Sequence, residues 1–421
     1  MFRPTIFLLV GSLGFVHAAD WPRFRGDDGN ASDPSADVPL EWNESQNMLW
    51  ATEIPGNGAS SPIVYADRVY LTSFTGYGID QDQPGNRADL KLHVLCFDLT
   101  SGKQLWDGVI EASPDEQAAS RRVTDHGYAS GSCVCDEAGV YSYFGVSGVV
   151  AFDHEGNKLW QADTGSNTAG FGSAASPILY QNLVIVNASI ESDTVFAFNR
   201  QTGKEVWRLE DVQKSWTTPL VSTSADGRDE LIVSYKEHLR GLDPLTGKEL
   251  WHCVGIQDYV VPCVVANDGI AYVLGGRKNQ AMAIRLGGSG DVTKTHKLWE
   301  ANVGANVTSP VYHEGKLYWA SDRGIANCMD ASTGKTVYQQ RMDTKERVYA
   351  STVLAGDRMY LTTRENGIFA VAIGPEYKQL AHNIIANDDS LFNATPAIVG
   401  DRLLTRSNRK LYCIGKTATD K

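Results

Sequence analysis

The sequence predicts an all-β chain folded as an eight-bladed propeller of four-stranded antiparallel blades, and three observations in its 421 residues carry that expectation. Near-identical punctuation recurs at Asp98-Leu-Thr-Ser-Gly102-Lys-Gln-Leu-Trp106, Asp243-Pro-Leu-Thr-Gly247-Lys-Glu-Leu-Trp251 and Asp330-Ala-Ser-Thr-Gly334-Lys-Thr-Val-Tyr338, with variants at 153–160 and 199–207. A Ser/Thr-Pro pair opens each unit at nearly constant spacing. Short apolar runs separated by Gly, Asp and Asn turns fill the intervals, with no long amphipathic helix.

The anchors are Ser61-Pro62, Ser176-Pro177, Thr218-Pro219, Ser309-Pro310 and Thr395-Pro396, with Ser132-Cys133, Val261-Pro262 and Ser351-Thr352 as variants. Their successive gaps are 71, 44, 42, 43, 48, 42 and 44 residues. A four-stranded propeller blade takes about 40 to 50 residues. Within each unit the order is a short apolar strand, a turn, an alternating strand such as Arg68 to Thr72, a polar turn, a third strand ending in Asp, a Thr-Gly-Lys turn and a fourth strand with an aromatic residue. That aromatic column holds Trp50, Trp106, Trp160, Trp207, Trp251, Trp299 and Tyr338, and weakens to Leu380. Trp50 precedes the first anchor, whereas the last unit, Thr395 to Cys413, lacks a fourth strand. Met48 to Ile54 should therefore complete the last blade, closing the ring and removing two sheet edges. Each indole buried between blades should contribute about 2 to 3 kcal/mol.

Domain bounds follow. Residues 1–19 combine Arg3, an apolar run from Ile6 to Val16 and small residues up to Ala19, the pattern of a cleaved secretory signal. Residues 20–47 form an N-terminal extension, 48–416 the propeller and 417–421 a tail. No later stretch is long and apolar enough to span a bilayer. The formal charge of −12 argues against nucleic acid. Of the seven cysteines, Cys96, Cys328 and Cys413 stand where other repeats have Ala or Gly, so they read as small fillers rather than disulfide partners. Cys133 aligns with the Pro column, and Cys135 and Cys263 with apolar inner-strand columns. The expectation is an exported monomer, periplasmic or extracellular.

The Ala-x-Asp-x-x-Thr-Gly-x-x-x-Trp pattern, carried by residues 98–106, 199–207, 243–251 and 330–338, resembles the tryptophan-docking motif of the pyrroloquinoline quinone (PQQ)-like repeat propellers. The resemblance spans roughly residues 48–416, and Asp20 to Ser32 and Gly287 to Thr293 are similar to secreted bacterial members. It implies one of two activities. Relatives of the outer-membrane protein assembly propeller lipoprotein bind partners without a cofactor, whereas the more distant quinoprotein dehydrogenases oxidise alcohols or sugars with PQQ and Ca²⁺. The adjacent Cys-Cys pair of the dehydrogenases is missing, and no calcium constellation matches residue by residue. The lipid-attachment cysteine of the assembly protein is missing too.

Candidate site residues come from columns where the repeats disagree. In a propeller, the loops between blades and those joining second and third strands share one face. The largest insertions on that face are Phe74 to Leu90 and Asp107 to Ala129. Just before the Pro anchors stand Trp216, Tyr259 and Tyr349, and nearby turns carry Lys236, Arg277, Arg323 and Arg364, with Arg406 further round. If these converge, they make an aromatic and cationic wall suited to a planar anion such as PQQ. His126, His238 and His382 are isolated, and no set has metal-ligand spacing. No nucleophile elbow, Walker loop or dinucleotide fingerprint stands in a suitable context. The resulting expectation is a cofactor-free binding or scaffold module for a protein, peptide or glycan in cell-envelope assembly. The alternative is a PQQ- and Ca²⁺-dependent oxidoreductase.

Overall fold

Alternating apolar runs bounded by turns give each blade two faces to bury, as in Arg68–Thr75, where every residue between the two ends is buried. In the computed structural model, which describes residues 20–417 apart from 121, 122, 124, 125 and 366, eight separate sheets form. The expected signal at 1–19 and all of the tail beyond 417 lie outside the described residues. Blade one is Ile63–Tyr65, Arg68–Thr75, Lys91–Asp98 and Gln104–Glu111, and the later blades repeat that order. Met48–Glu53 completes the eighth blade by pairing antiparallel with Lys410–Ile414, Met48 opposite Ile414 and Glu53 opposite Lys410.

The repeat motif works as a local device. Its Asp or Asn folds the turn on itself: Asp98, Asn199, Asp243 and Asp330 each accept the backbone N–H three residues on, at 2.7, 3.0, 3.1 and 2.9 Å. That turn presents the next carbonyl to the preceding blade. Trp50, Trp106, Trp160, Trp207 and Trp299 donate their indole N–H to the carbonyls of Leu99, His154, Arg200, Pro244 and Ala331 at 2.8 to 3.1 Å. The turn glycine is the seat for the ring. A Cβ on Gly247 would stand 2.6 Å from the Trp207 indole, and the residue has φ +69°. Small residues are required for a related reason, since Cys96, Ala197 and Cys413 sit directly opposite Trp106, Trp207 and Trp50 on the neighbouring strand of their own blade. All seven cysteines are buried and free.

The anchors form a belt around the central channel. Backbone N–H groups of Ser61, Ser132 and Ser176 donate to the hydroxyls of Ser132, Ser176 and Thr218 in the following blade. Those of Cys263, Ser309, Ser351 and Thr395 donate onward to Ser309, Ser351, Thr395 and Ser61. Blade five therefore departs from the expected register: its belt residue is Cys263, not Val261, and Cys263 does not belong to an apolar inner-strand column. Val265 opposite Tyr272 matches Ile63 opposite Tyr70, which places the anchor two residues earlier at Cys263. A Val-Pro pair two residues upstream imitates the anchor.

Two further boundaries shift. Asp107 to Glu111 is not loop but the end of the fourth strand of blade one, paired with Lys91 to Leu95. Gly290–Asp291 adds a fifth, parallel strand to the outer edge of blade four.

The extension at 20–47 packs throughout. Trp21 exchanges both backbone bonds with Val64, Pro22 accepts the Cys135 N–H, and Arg25 donates to the Pro310 carbonyl. Ser32–Asp33 then pairs parallel with Val353–Ala355, and Trp42 packs against Tyr360 at 6.0 Å. The segment crosses from the inner strands of blades one and two to those of six and seven. It is a stopper laid through the channel.

Candidate functional site

On the side of the inter-blade loops, a cavity of about 360 Å³ opens above this stopper in three tiers. The lowest tier is Phe24. Belt residues come next, among them Thr218, Cys263, Ser309 and Ser351. The rim carries Trp216, Tyr259, Tyr349 and Phe171, with Asn306, Asn393, His126 and Arg347 between them.

The rim rings are held from outside. Trp216 donates its indole N–H to the Gly172 carbonyl at 2.7 Å and meets Tyr259 edge-on at 6.1 Å. The Tyr259 hydroxyl donates to Asn306 at 2.9 Å. Phe171 remains 47% exposed, an apolar ring presented to solvent at the mouth. Preorganised rings with a few amides and one guanidinium suit an apolar or aromatic group that also carries polar edges.

The sequence-derived residues separate into two sets. Trp216, Tyr259 and Tyr349 converge on the cavity; Lys236, Arg277, Arg323 and Arg364 do not line it. Arg277 pairs with Asp258 at 2.7 Å and lies 5.4 Å over the Tyr259 ring. That pairing holds the Asp258 carboxyl down at about 2. Arg364 is buried, lies 4.6 Å over the Tyr349 ring and donates to Asn393 at 2.9 Å. Two of the cations thus brace the aromatic wall from behind, each through a cation–π contact. Lys236 sits beside Glu237, and Arg323 is exposed at its turn. Arg406 is fully buried and donates to the Ser60 hydroxyl and the Thr72 carbonyl, with burial pulling its guanidinium down to about 9.

Sequence reasoning missed Arg347, Phe171 and Phe24. Phe24 lies outside the repeat, so no column pointed to it. Behind the Phe171 side of the wall, the two early insertions lean on each other: Ala119 N–H donates to the Tyr77 hydroxyl and Arg87 to the Glu116 carbonyl. Glu116 accepts from Ser147 at 2.8 Å, and burial raises its carboxyl to about 7. Glu191, bonded to Tyr143 and Ser173, is raised by burial as well. Among the described residues, no three His, Cys, Asp or Glu side chains converge on a metal-sized space.

These features define an eight-bladed propeller of PQQ-like repeats with a stoppered central funnel. Residues 90–257 and 288–375 match the family model described as outer membrane protein assembly factor BamB, and the chain belongs to that PQQ-like propeller family. It is similar in fold to BamB from Moraxella catarrhalis, at 14% identity and TM-score 0.63 over 88% of this chain and 98% of that one. It is also similar to the computationally designed Ika8 protein, at 11% identity and TM-score 0.59 over 88% and 99%. A sequence relative is the tetrathionate hydrolase of Acidithiobacillus ferrooxidans, 20% identical over 385 residues, which are 82% of this chain and 73% of the hydrolase. No helix among the described residues is long and apolar enough to cross a membrane.

Proposed function

We propose that this chain is an exported, monomeric binding module that takes an aromatic or apolar side chain of a partner protein into its funnel, as a scaffold in cell-envelope assembly. The observation that carries this reading is the open cavity with Trp216, Tyr259, Tyr349 and Phe171 on its wall and a belt of small polar groups below. Concave pockets of this kind receive anchoring side chains at protein interfaces. Membership of a family described by an envelope assembly factor supports the same class of role. A glycan would use the same rings by stacking, and it is the second ligand class to test.

PQQ fits the cavity poorly. Among the described residues its three carboxylates would meet one lining guanidinium, Arg347, whereas Arg277 and Arg364 brace the wall from behind.

Titration of the purified protein, followed by tryptophan fluorescence, should show saturable binding of aromatic-bearing peptides. Trp216→Ala and Tyr349→Ala should each weaken it by about tenfold or more. Saturable binding of PQQ with Ca²⁺, or of oligosaccharides, without peptide binding would overturn the reading.

A further inference from the structure

Below Phe24 lies a second space of about 10 Å³, bordered by Arg23, Arg25, Gly29, Thr218 and Cys263. It has room for a single small occupant. Both guanidiniums converge on Gly29. Arg25 Nε donates to the Gly29 carbonyl at 3.0 Å, and Arg23 Nη2 lies 2.7 Å from where a Cβ on Gly29 would stand.

Among the described residues no carboxylate bonds directly to either cation. Arg25 is 1% exposed, and its hydrogen bonds go only to the carbonyls of Gly29, Asn30 and Pro310. Its Nη1 is buried without a partner, as is Nε of Arg23. Among the described residues neither side chain forms an ion pair, and the nearby Asp27 and Asp28, of which Asp28 favours both charges, are exposed. Burial is the main influence pulling both guanidiniums below their ordinary value, Arg25 to about 10, and the charge of Arg23 adds to the effect on Arg25. Arg25 is buried and Arg23 half-buried, and two like charges so placed call for compensation. The belt also breaks here: its one missing link, from Thr218 to Cys263, falls between the two belt residues that border the space. The side chains that frame it with polar atoms are donors, namely two guanidiniums, a hydroxyl and a thiol, and no carboxylate borders it.

We propose that this space binds a small monovalent anion, chloride in ordinary media, between Arg23 and Arg25, and that the anion latches the N-terminal stopper into the channel. Its ligands are the free guanidinium N–H groups, with the Thr218 hydroxyl and Cys263 thiol as further donors. The space shares Phe24, Thr218 and Cys263 with the floor of the funnel, but Arg23 and Arg25 do not line the funnel, so failure of the anion site would leave the partner-binding reading untouched.

Crystals soaked in sodium bromide should show an anomalous bromine peak between the two guanidiniums. With chloride exchanged for gluconate at constant ionic strength, the unfolding midpoint should rise by about 1 to 3 °C per tenfold increase in chloride. Because Arg25 also fixes three carbonyls, the decisive variant is Arg23→Gln, which should abolish both the peak and the chloride dependence. An ordered water with no anomalous signal, or a peak that survives in Arg23→Gln, overturns the site. A midpoint indifferent to chloride overturns the latch.

Discussion

Two adjacent junctions of the ring start from the same repeat and end differently. Between blades three and four, Trp207 rests on Gly247 and donates to the Pro244 carbonyl at 3.1 Å, while the Ser176 N–H reaches Thr218 at 3.0 Å. Between blades four and five, Trp251 is wholly buried and donates instead to Glu230 of its own blade at 2.7 Å, and the belt link is missing. Blade five supplies the cause. Where blades one, three, four and six carry an Asp- or Asn-led turn ending in Gly-Lys, it has Arg285-Leu-Gly-Gly, so no carbonyl seat forms, and the chain runs on to pair Gly290–Asp291 with blade four. Glu230 fills the gap, held by Arg228 at 2.6 Å and by the Gly287 N–H at 3.2 Å. The repeat thus builds regular junctions from local turn chemistry, and where the turn is lost a buried polar cluster substitutes for it.

The largest test of that contrast is Glu230→Ala, which strands the Trp251 and Gly287 donors and leaves Arg228 unpaired. It should cost about 3 to 5 kcal/mol in urea unfolding. A cost below about 1 kcal/mol would remove Glu230 as the substitute for the turn. Next comes Gly247→Ala at the regular junction, where a Cβ both meets the Trp207 ring and adopts positive φ; about 2 to 4 kcal/mol is expected. Its control is Gly290→Ala, with φ +65° but open space, which should lose only about 1 to 2 kcal/mol of stability. Equal effects would show that the ring contact contributes nothing. Thr218→Val removes the acceptor of the Ser176 N–H and should destabilise by about 1 to 2 kcal/mol. The smallest expected change has the opposite sign: Cys263→Ser offers Thr218 a hydroxyl and should stabilise by up to about 1 kcal/mol if it restores the belt.

The same contrast explains what the sequence could reveal. Blade number, the closing strand and the role of Trp207 or Trp299 rest on patterns that recur, and each recurrence has one structural cause. Blade five misleads because Val261-Pro262 carries the anchor's composition two residues out of phase, and only strand pairing distinguishes it from Cys263. Trp216, Tyr259 and Tyr349 were legible as funnel residues because a ring near a strand's start follows its backbone. Arg277 and Arg364 were not, because a long guanidinium side chain seeks the nearest carboxylate or ring, here Asp258, Tyr259 and Tyr349. Phe24, Arg23 and Arg25 belong to no repeat, so nothing periodic assigned them a place.

The strand that completes blade eight also sets an order of events. Met48–Glu53 emerges from the ribosome long before its partner Lys410–Ile414, and at about 5 to 20 residues per second the delay is on the order of 20 to 70 seconds. Through that interval a hydrogen-bonding edge with Trp50 on it has no mate, and the nascent ring is an open spiral.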